Sequence, residues 1–313
     1  MPTRNSPLDR DPQSRGAKRW LVALSGYMIL AASIALFVRH VDGRELLRLL
    51  AHTRPVGMAA ACLLALLQLL CRASVFRTLL APLVWLPWLR AQRCMLASSA
   101  ATALVPGRAG EFMRAYLLKR DDRIALASTA AVTAVEKSVE VLALLLILLP
   151  VPLLLPHLPG WVGKYVLLTA AIAVTLLSLA TFLASRARPP GWLVAFTAGL
   201  ATVKRPALLV KAVLVSVGSW LVDVACLLSV MHAVGVVAPA ASALLVILAV
   251  NAAIAFPVVP GNLGTFELGA IAGLQPFGVR YDLGLAVGLL YHAAQVMPIA
   301  LLALLDSRFV ARR

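Results

Sequence analysis

Charged residues stand in this chain where an apolar run should exclude them. In "ASTAAVTAVEKSVEVLALLLILLP", residues 127–150, Glu136, Lys137 and Glu140 interrupt an otherwise apolar stretch of helix length. On a helix, Glu136 and Glu140 are i, i+4 neighbours and Lys137 is i, i+3 from Glu140, so the ammonium offsets part of the repulsion between the carboxylates. A charge at the centre of a bilayer costs about 2.5–3.5 kcal/mol, so all three must be paired and face protein or water. A helix that starts at 124 puts them roughly 18 to 24 Å from its first residue. That depth argues against a merely interfacial cluster, which would require a different helix boundary.

A second charged group lies in "ALVPGRAGEFMRAYLLKR", residues 103–120. Arg108, Glu111 and Arg114 are spaced by threes, so Glu111 can reach either guanidinium along a helix. Two readings fit: a solvated helix start, or an anion site in which Arg108 and Arg114 hold a headgroup and Glu111 orients them. The break has an echo. The segment Pro106 to Phe112, "PGRAGEF", aligns with Pro260 to Phe266, "PGNLGTF", keeping Pro, both Gly and Phe, and Glu267 follows the second copy.

Pro removes an amide donor and Gly permits positive φ, so at Pro106, Gly107, Gly110, Pro260, Gly261 and Gly264 a helix must stop and restart. The restarted helix presents free N–H groups and a positive dipole end, which suit phosphate or carboxylate. One such break is an ordinary loop turn. Two in corresponding positions of the two halves point to an inverted-repeat transporter with its site at the repeat interface. Arg108, Glu111, Arg114, Asn262 and Glu267 are therefore the candidate substrate-binding residues. Glu136, Lys137, Glu140 and the isolated acid Asp223 are candidates for a polar path or counter-ions, although a hydrogen bond to a neighbouring helix serves Asp223 equally well. Tyr291 and His292 fit packing or interhelical hydrogen bonds better than a site.

The elements that must position these groups are membrane helices. Of 313 residues, 61% are hydrophobic and 13% charged, in long apolar blocks that match a bilayer core. Without ten-residue alternating strands, such a chain spans as helices. The net charge of +16 sits in short segments between apolar blocks, the pattern of cytoplasmic loops on an anionic leaflet, and it argues against nucleic acid. Cys62, Cys71, Cys94 and Cys226 are far apart and show neither metal-ligand spacing nor a disulfide framework. There is no P-loop, no H-E-x-x-H and no Cys/His cluster, so neither a cofactor nor a metal is expected.

The expected architecture is an all-α polytopic membrane protein with about six full spans plus two oppositely oriented, Pro-Gly-broken re-entrant segments, inverted-repeat-like. A cytoplasmic tail, 1–19, precedes a single transmembrane domain, 20–305, and a cytoplasmic tail, 306–313, follows. Spans are expected for about 19 residues from Trp20, which lack a convincing cleavage site, and near 56–76, 124–150, 164–184, 207–232 and 283–305. The broken segments are 94–123 and 238–279. Arg186, Arg188, Lys204, Arg205 and Lys211, with no acid among them, place 186–211 in the cytoplasm. Arg72, Arg77, Arg90 and Arg93 read as another cytoplasmic stretch before 94. By that count 94–123 begins and ends inside, 238–279 begins and ends outside, and 39–55 falls outside despite its arginines.

The order "PGRAGEFMRAYLL", "EKSVE" and "PGNLGTFELG", together with "VDGRELLRLL", resembles the transmembrane region of the lysylphosphatidylglycerol synthase/flippase family. That family includes stand-alone membrane proteins of this length, some associated with hopanoid or other lipid pathways. Its first break usually reads P-G-R-x-G-E-x-x-R, which Pro106, Gly107, Arg108, Gly110, Glu111 and Arg114 satisfy. Its next helix usually carries E-R-x-x-D, where this chain has Glu136, Lys137 and Glu140. Lys lacks the bidentate fork of Arg, which weakens an Arg-type phosphate contact there. The second break usually reads P-G-G-x-G-x-x-E; Asn262 replaces a Gly and Glu267 is kept.

The resemblance implies lipid translocation or lipid handling between the leaflets of a bacterial inner membrane. No aminoacyl-transferase domain follows residue 313, so lipid aminoacylation is not expected. The expected function is a flippase or transporter of an amphipathic lipid, with an anionic or hopanoid-type headgroup. The alternatives are an intramembrane lipid-modifying transferase using Glu111 or Glu267 as a base, and a non-transporting subunit of a lipid-synthesis complex. Membrane lipids are the expected partners, lipid-biosynthesis enzymes and further copies of the chain are compatible ones, and nucleic acid is not.

Overall fold

The computed structural model describes residues 43–104, 109–151, 160–185, 194–255 and 259–306. The expected first span, the N-terminal tail, residues 307–313 of the C-terminal tail, and Pro106, Gly107 and Arg108 lie outside the described residues. Within them the chain is all helix: α1 (Gly43–Ala51), α2 (Pro55–Leu80), α3 (Trp88–Leu104), α4 (Ala109–Asp122), α5 (Leu126–Leu148), α6 (Gly160–Ser185) and α7 (Val194–Gly199), which runs into a 3-10 turn, Leu200–Lys204. Then follow α8 (Pro206–Val234), α9 (Ser242–Ala253), a 3-10 turn Pro260–Asn262, α10 (Thr265–Leu274), a 3-10 turn Gln275–Phe277 and α11 (Tyr281–Leu305).

Four stretches, Pro55–Leu80, Val162–Leu183, Pro206–Val234 and Tyr281–Leu305, are long and apolar enough to cross a membrane. The protein is a helical membrane protein. The expected span at 124–150 appears as the 23-residue α5, whose three charges set it apart from those four.

Pro starts α2 and α8, where the first-turn amide needs no helical acceptor. The two pack antiparallel through small residues. A Cβ on Gly57 would lie 2.7 Å from that of Ala233, and Cys226 Sγ donates to the Ala61 carbonyl. Lipid offers no hydrophobic drive for helix pairing, so close approach of small residues supplies the contact instead.

Helices α3 and α4 form an antiparallel hairpin around the first break. A Cβ on Gly110 would sit 2.1 Å from the Ser98 carbonyl oxygen, so only Gly admits α4 this close to the break. At the open end Arg90 donates to Asp121 at 2.6 Å and to Asp122 at 3.3 Å. Helices α9 and α10 form the second hairpin, where Gly269 and Gly273 lie against the Val250 and Val246 backbone, their Cβ positions 2.6 and 2.4 Å from the Cα atoms.

Helix α11 organises both hairpins. Its last turn meets the open end of the first through Arg93 and Asp306, 3.2 Å apart. The second hairpin runs through Gln275–Phe277 into the start of α11, with Gly284 against Ile271 and Gly288 against Glu267. The hairpins thus lie along α11 from its two ends, and their tips meet near its middle: Gly261 approaches the Ala103 carbonyl oxygen, 3.1 Å from its Cβ position.

The apolar core divides at this level. One cluster gathers Ala61, Ala65, the second halves of α5 and α8 and the buried faces of α9 to α11; the other gathers α2 from Leu69 onward with α3, α4, the first half of α5 and Ala212 of α8. The division falls where Gln68, Arg72, Glu136, Glu140 and Asp223 occur.

Three boundary readings change. The first broken segment begins at Trp88 rather than 94, because Arg90 and Arg93 are helical residues paired with Asp121, Asp122 and Asp306 rather than loop charges. Likewise α2 continues to Leu80, so Arg77, past the expected end at 76, lies inside the helix as Arg72 does. The second broken segment contracts from 238–279 to the helices 242–253 and 265–274.

Candidate functional site

Where the tips meet, a cavity of about 280 Å³ opens between both breaks, α2, α5 and α11. Thr102, Glu111 and Arg114 line it from the first hairpin, Gly261, Asn262 and Phe266 from the second, and Glu136, Lys137 and Glu140 from α5. Arg72, His292 and Gln295 complete the polar wall. Glu111 and Arg114 of the first break, Glu136, Lys137 and Glu140 of α5 and Asn262 of the second break therefore share one compartment.

The second tip is shaped by backbone demands. Gly261, Asn262 and Gly264 have φ of 60°, 57° and 82°. Asn is among the few residues other than Gly that adopt this region readily, so Asn262 keeps the turn and adds an amide to the cavity. Gly264 is the N-cap of α10, and its N–H donates to Glu267 Oε2 at 2.6 Å. The other carboxylate oxygen of Glu267 lies 2.7 Å from His292 Nδ1. Glu267 is 1% exposed and stands behind the wall, holding the helix start and the imidazole. His292, stacked on Phe266 with ring centroids 4.4 Å apart, faces the cavity in its place.

Arg114 does not pair along its own helix with Glu111. Its Nη1 and Nη2 donate to Glu136 Oε1 and Oε2 at 3.0 and 2.5 Å, and Nη2 also donates to Thr133 at 3.2 Å. The guanidinium lies 4.1 Å from the Phe76 ring centroid, and Nε has no hydrogen-bond partner among the described residues. Both side chains are buried, at 4% and 3% exposure. This bidentate pair ties α4 to α5.

The more open charges form a second cluster. Lys137 Nζ donates to Glu140 Oε2 at 2.8 Å and lies 3.9 Å from Glu111 Oε1; Arg72 approaches Glu140 Oε1 at 3.6 Å. The Trp220 indole N–H donates to the Glu140 carbonyl, and a small recess lined by Gln68, Arg72, Glu140, Ser216 and Ser219 extends toward α8. Asp223 lies beyond it, accepting from the Tyr291 hydroxyl and the Gln295 amide, each at 2.8 Å. Gln295 connects Asp223 to the cavity.

The i, i+3 pairing of Lys137 with Glu140 follows from spacing. The partition of the carboxylates does not: Glu136 and Glu140 point to different cations on different helices. Arg72, Thr133, Phe76 and Gln295 were missed altogether, since an Arg near the expected end of a span looks like a topogenic charge. The signal that could have singled out Arg72 is Gln68 one turn before it, a second polar residue inside an apolar helix.

The sequence profile described as Lysylphosphatidylglycerol synthase TM region matches residues 21–303. The chain belongs to this family. It is thereby a membrane protein of a lipid-related family, and the matched region takes in both breaks and the whole cavity wall. No match to a curated protein was found. Arg114 of the first break and Glu136 of α5 form the buried pair, and Lys137 is more accessible than Arg114, at 36% against 4% side-chain exposure.

Proposed function

We propose that this protein moves an amphipathic lipid between the leaflets of a bacterial inner membrane, with the headgroup passing through the cavity at the hairpin tips. One observation carries the reading: a polar cavity, walled by both broken segments, lies near the middle of the long apolar helix α11. A site at mid-helix, reached by discontinuous helices from two ends, is the arrangement of alternating-access transporters. The hairpins are then re-entrant, one from each face. The end carrying Arg77, Arg90, Arg93, Lys119, Arg120, Lys204 and Arg205 faces the cytoplasm by its positive charge.

Roles follow from engagement. Lys137 and Arg72 meet the headgroup, with Asn262 and His292 supplying polar contacts opposite. Glu111 and Glu140 act as counter-ions that an anionic headgroup displaces. Arg114, Glu136 and Glu267 hold the wall, and Asp223 fixes Gln295. Arg108, of the first break, is proposed from the sequence as a further headgroup-binding cation.

The test is transport of fluorescent phospholipids in liposomes containing the purified chain, read by bleaching of the probe in the outer leaflet. Exchange between leaflets that depends on protein and falls in Lys137→Ala and Arg72→Ala supports the proposal. Equal rates in protein-free vesicles, wild type and both variants would refute it.

A further inference from the structure

On the other side of Glu111 lies a second compartment. Between α4 and α5 an open groove of about 810 Å³ is walled by Phe112, Tyr116 and Leu126, with Ala115 and Ala130 making room along it. Phe112 is 74% exposed and Tyr116 55%, and under the re-entrant reading proposed above this surface turns to lipid. Lys119 and Arg120 stand at one end, beside the Arg90, Asp121 and Asp122 cluster that closes the hairpin. Glu111 stands at the other and lines both groove and cavity. Thr133 lines the groove while its hydroxyl accepts from Arg114, whose side chain lines the cavity. The two compartments are thus separated by one layer of side chains.

We propose that the α4–α5 groove is a lateral portal that seats an acyl chain of a membrane lipid while the headgroup crosses at Glu111. This rests on the lipid-transport reading above. The shape and polarity of the groove select the occupant. It is apolar along its length and polar at both ends, cations at the open end of the hairpin and a carboxylate beside the cavity, matching a molecule with a long tail and a polar head. A packed helix is about 10 Å across with its side chains and would need a continuous stripe of small residues, whereas here Phe112 and Tyr116 stand out into the groove.

Passage from bilayer to groove exchanges one apolar surrounding for another, so residence of the tail is set by the fit of the groove and by headgroup contacts at Lys119 and Arg120 rather than by a hydrophobic gain. It can slide along α4 as the headgroup moves. Lys119 and Arg120 favour entry of lipids whose phosphate lies at that level.

The experiment uses the full chain in liposomes doped with a phospholipid bearing a diazirine in one acyl chain. After photolysis, labelled peptides are mapped by mass spectrometry, and transport is measured on the same preparation. Labelling per exposed residue is expected to be several-fold higher around Phe112–Tyr116 and Leu126–Thr133 than at the lipid-facing Leu167 and Leu168. Ala130→Trp, which fills the groove, should remove that excess and slow transport several-fold without lowering the melting temperature. Ala115→Trp provides the same plug from α4 should the first variant not fold.

Labelling in mere proportion to exposure, or cross-links joining two copies of the chain through this groove, overturns the portal. Transport that persists with the groove plugged does the same while leaving the lipid-transport reading intact. Groove labelling that Ala130→Trp abolishes, in a chain that moves no lipid, keeps the acyl-chain site and refutes transport.

Discussion

Arg114 and Glu136 form a closed pair, two guanidinium nitrogens on two carboxylate oxygens at 3.0 and 2.5 Å, with both side chains almost fully buried. It joins the arm of a broken hairpin to the helix that carries the remaining cavity charges. Removing either partner strands a buried charge, which costs about 3–5 kcal/mol. Arg114→Ala and Glu136→Ala should each lower the melting temperature in detergent markedly. A paired apolar replacement, Arg114→Met with Glu136→Leu, should recover much of the loss. A loss in the double variant equal to the sum of the two single losses would show that the pair is not coupled.

Lys137 should behave differently. Its contacts are to Glu140 and Glu111 at a cavity wall, and it is the more accessible cation. Lys137→Ala should leave melting nearly unchanged and reduce lipid transport by about tenfold, the loss of one charge-assisted contact of roughly 1.5 kcal/mol. Lys137→Arg should retain most of the activity. A Lys137→Ala protein with undiminished transport would remove this residue from the path.

Helix proximity gives a test independent of transport. A Cβ on Gly110 collides with the Ser98 carbonyl and the Thr102 hydroxyl, and one on Gly269 with the Val250 backbone. Gly110→Val and Gly269→Val should each destabilise by about 1–3 kcal/mol or prevent folding, as overpacked sites do. Gly218, with nothing within 4 Å of its Cβ position, should accept Ala at no cost and with a slight gain in helix propensity. Thermal unfolding of the three variants decides.

The contact between the tips can be locked. The Gly261 Cβ position lies 3.1 Å from the Ala103 carbonyl oxygen, so cysteines at the two positions, in a chain whose free Cys62, Cys71, Cys94 and Cys226 are replaced, should be joined by a short, reducible bifunctional thiol reagent. If the tips separate during transport, the reagent should stop it and reduction restore it. Full activity of the cross-linked protein would mean that the tips stay together throughout the cycle.

Asp223 anchors the far side of the cavity through Tyr291 and Gln295. Asp223→Leu leaves a hydroxyl and an amide without their acceptor, a loss of about 1–3 kcal/mol. Asp223→Asn keeps an acceptor oxygen and should be milder. Melting curves of the two variants distinguish a structural acceptor from a dispensable acid.

Composition and local pattern were enough for the helical membrane class, for most helix positions and for the two breaks, because each depends on neighbours in sequence. A run of apolar residues must form its own backbone hydrogen bonds in lipid, and Pro with Gly stops a helix wherever it occurs. The pairing of Lys137 with Glu140 belongs to the same class, since helix geometry alone brings residues three apart together. What no local rule could decide is which charge meets which across helices. Arg114 faced Glu111 by spacing, yet Glu136 takes it; Glu267 looked like a ligand, yet it caps α10 and orients His292; Arg72 looked like a loop charge, yet it reaches Glu140. The reason is that buried charges are placed by mutual attraction and desolvation among all elements that converge on one point. Here that point exists only once both hairpins have packed along α11 and their tips have met.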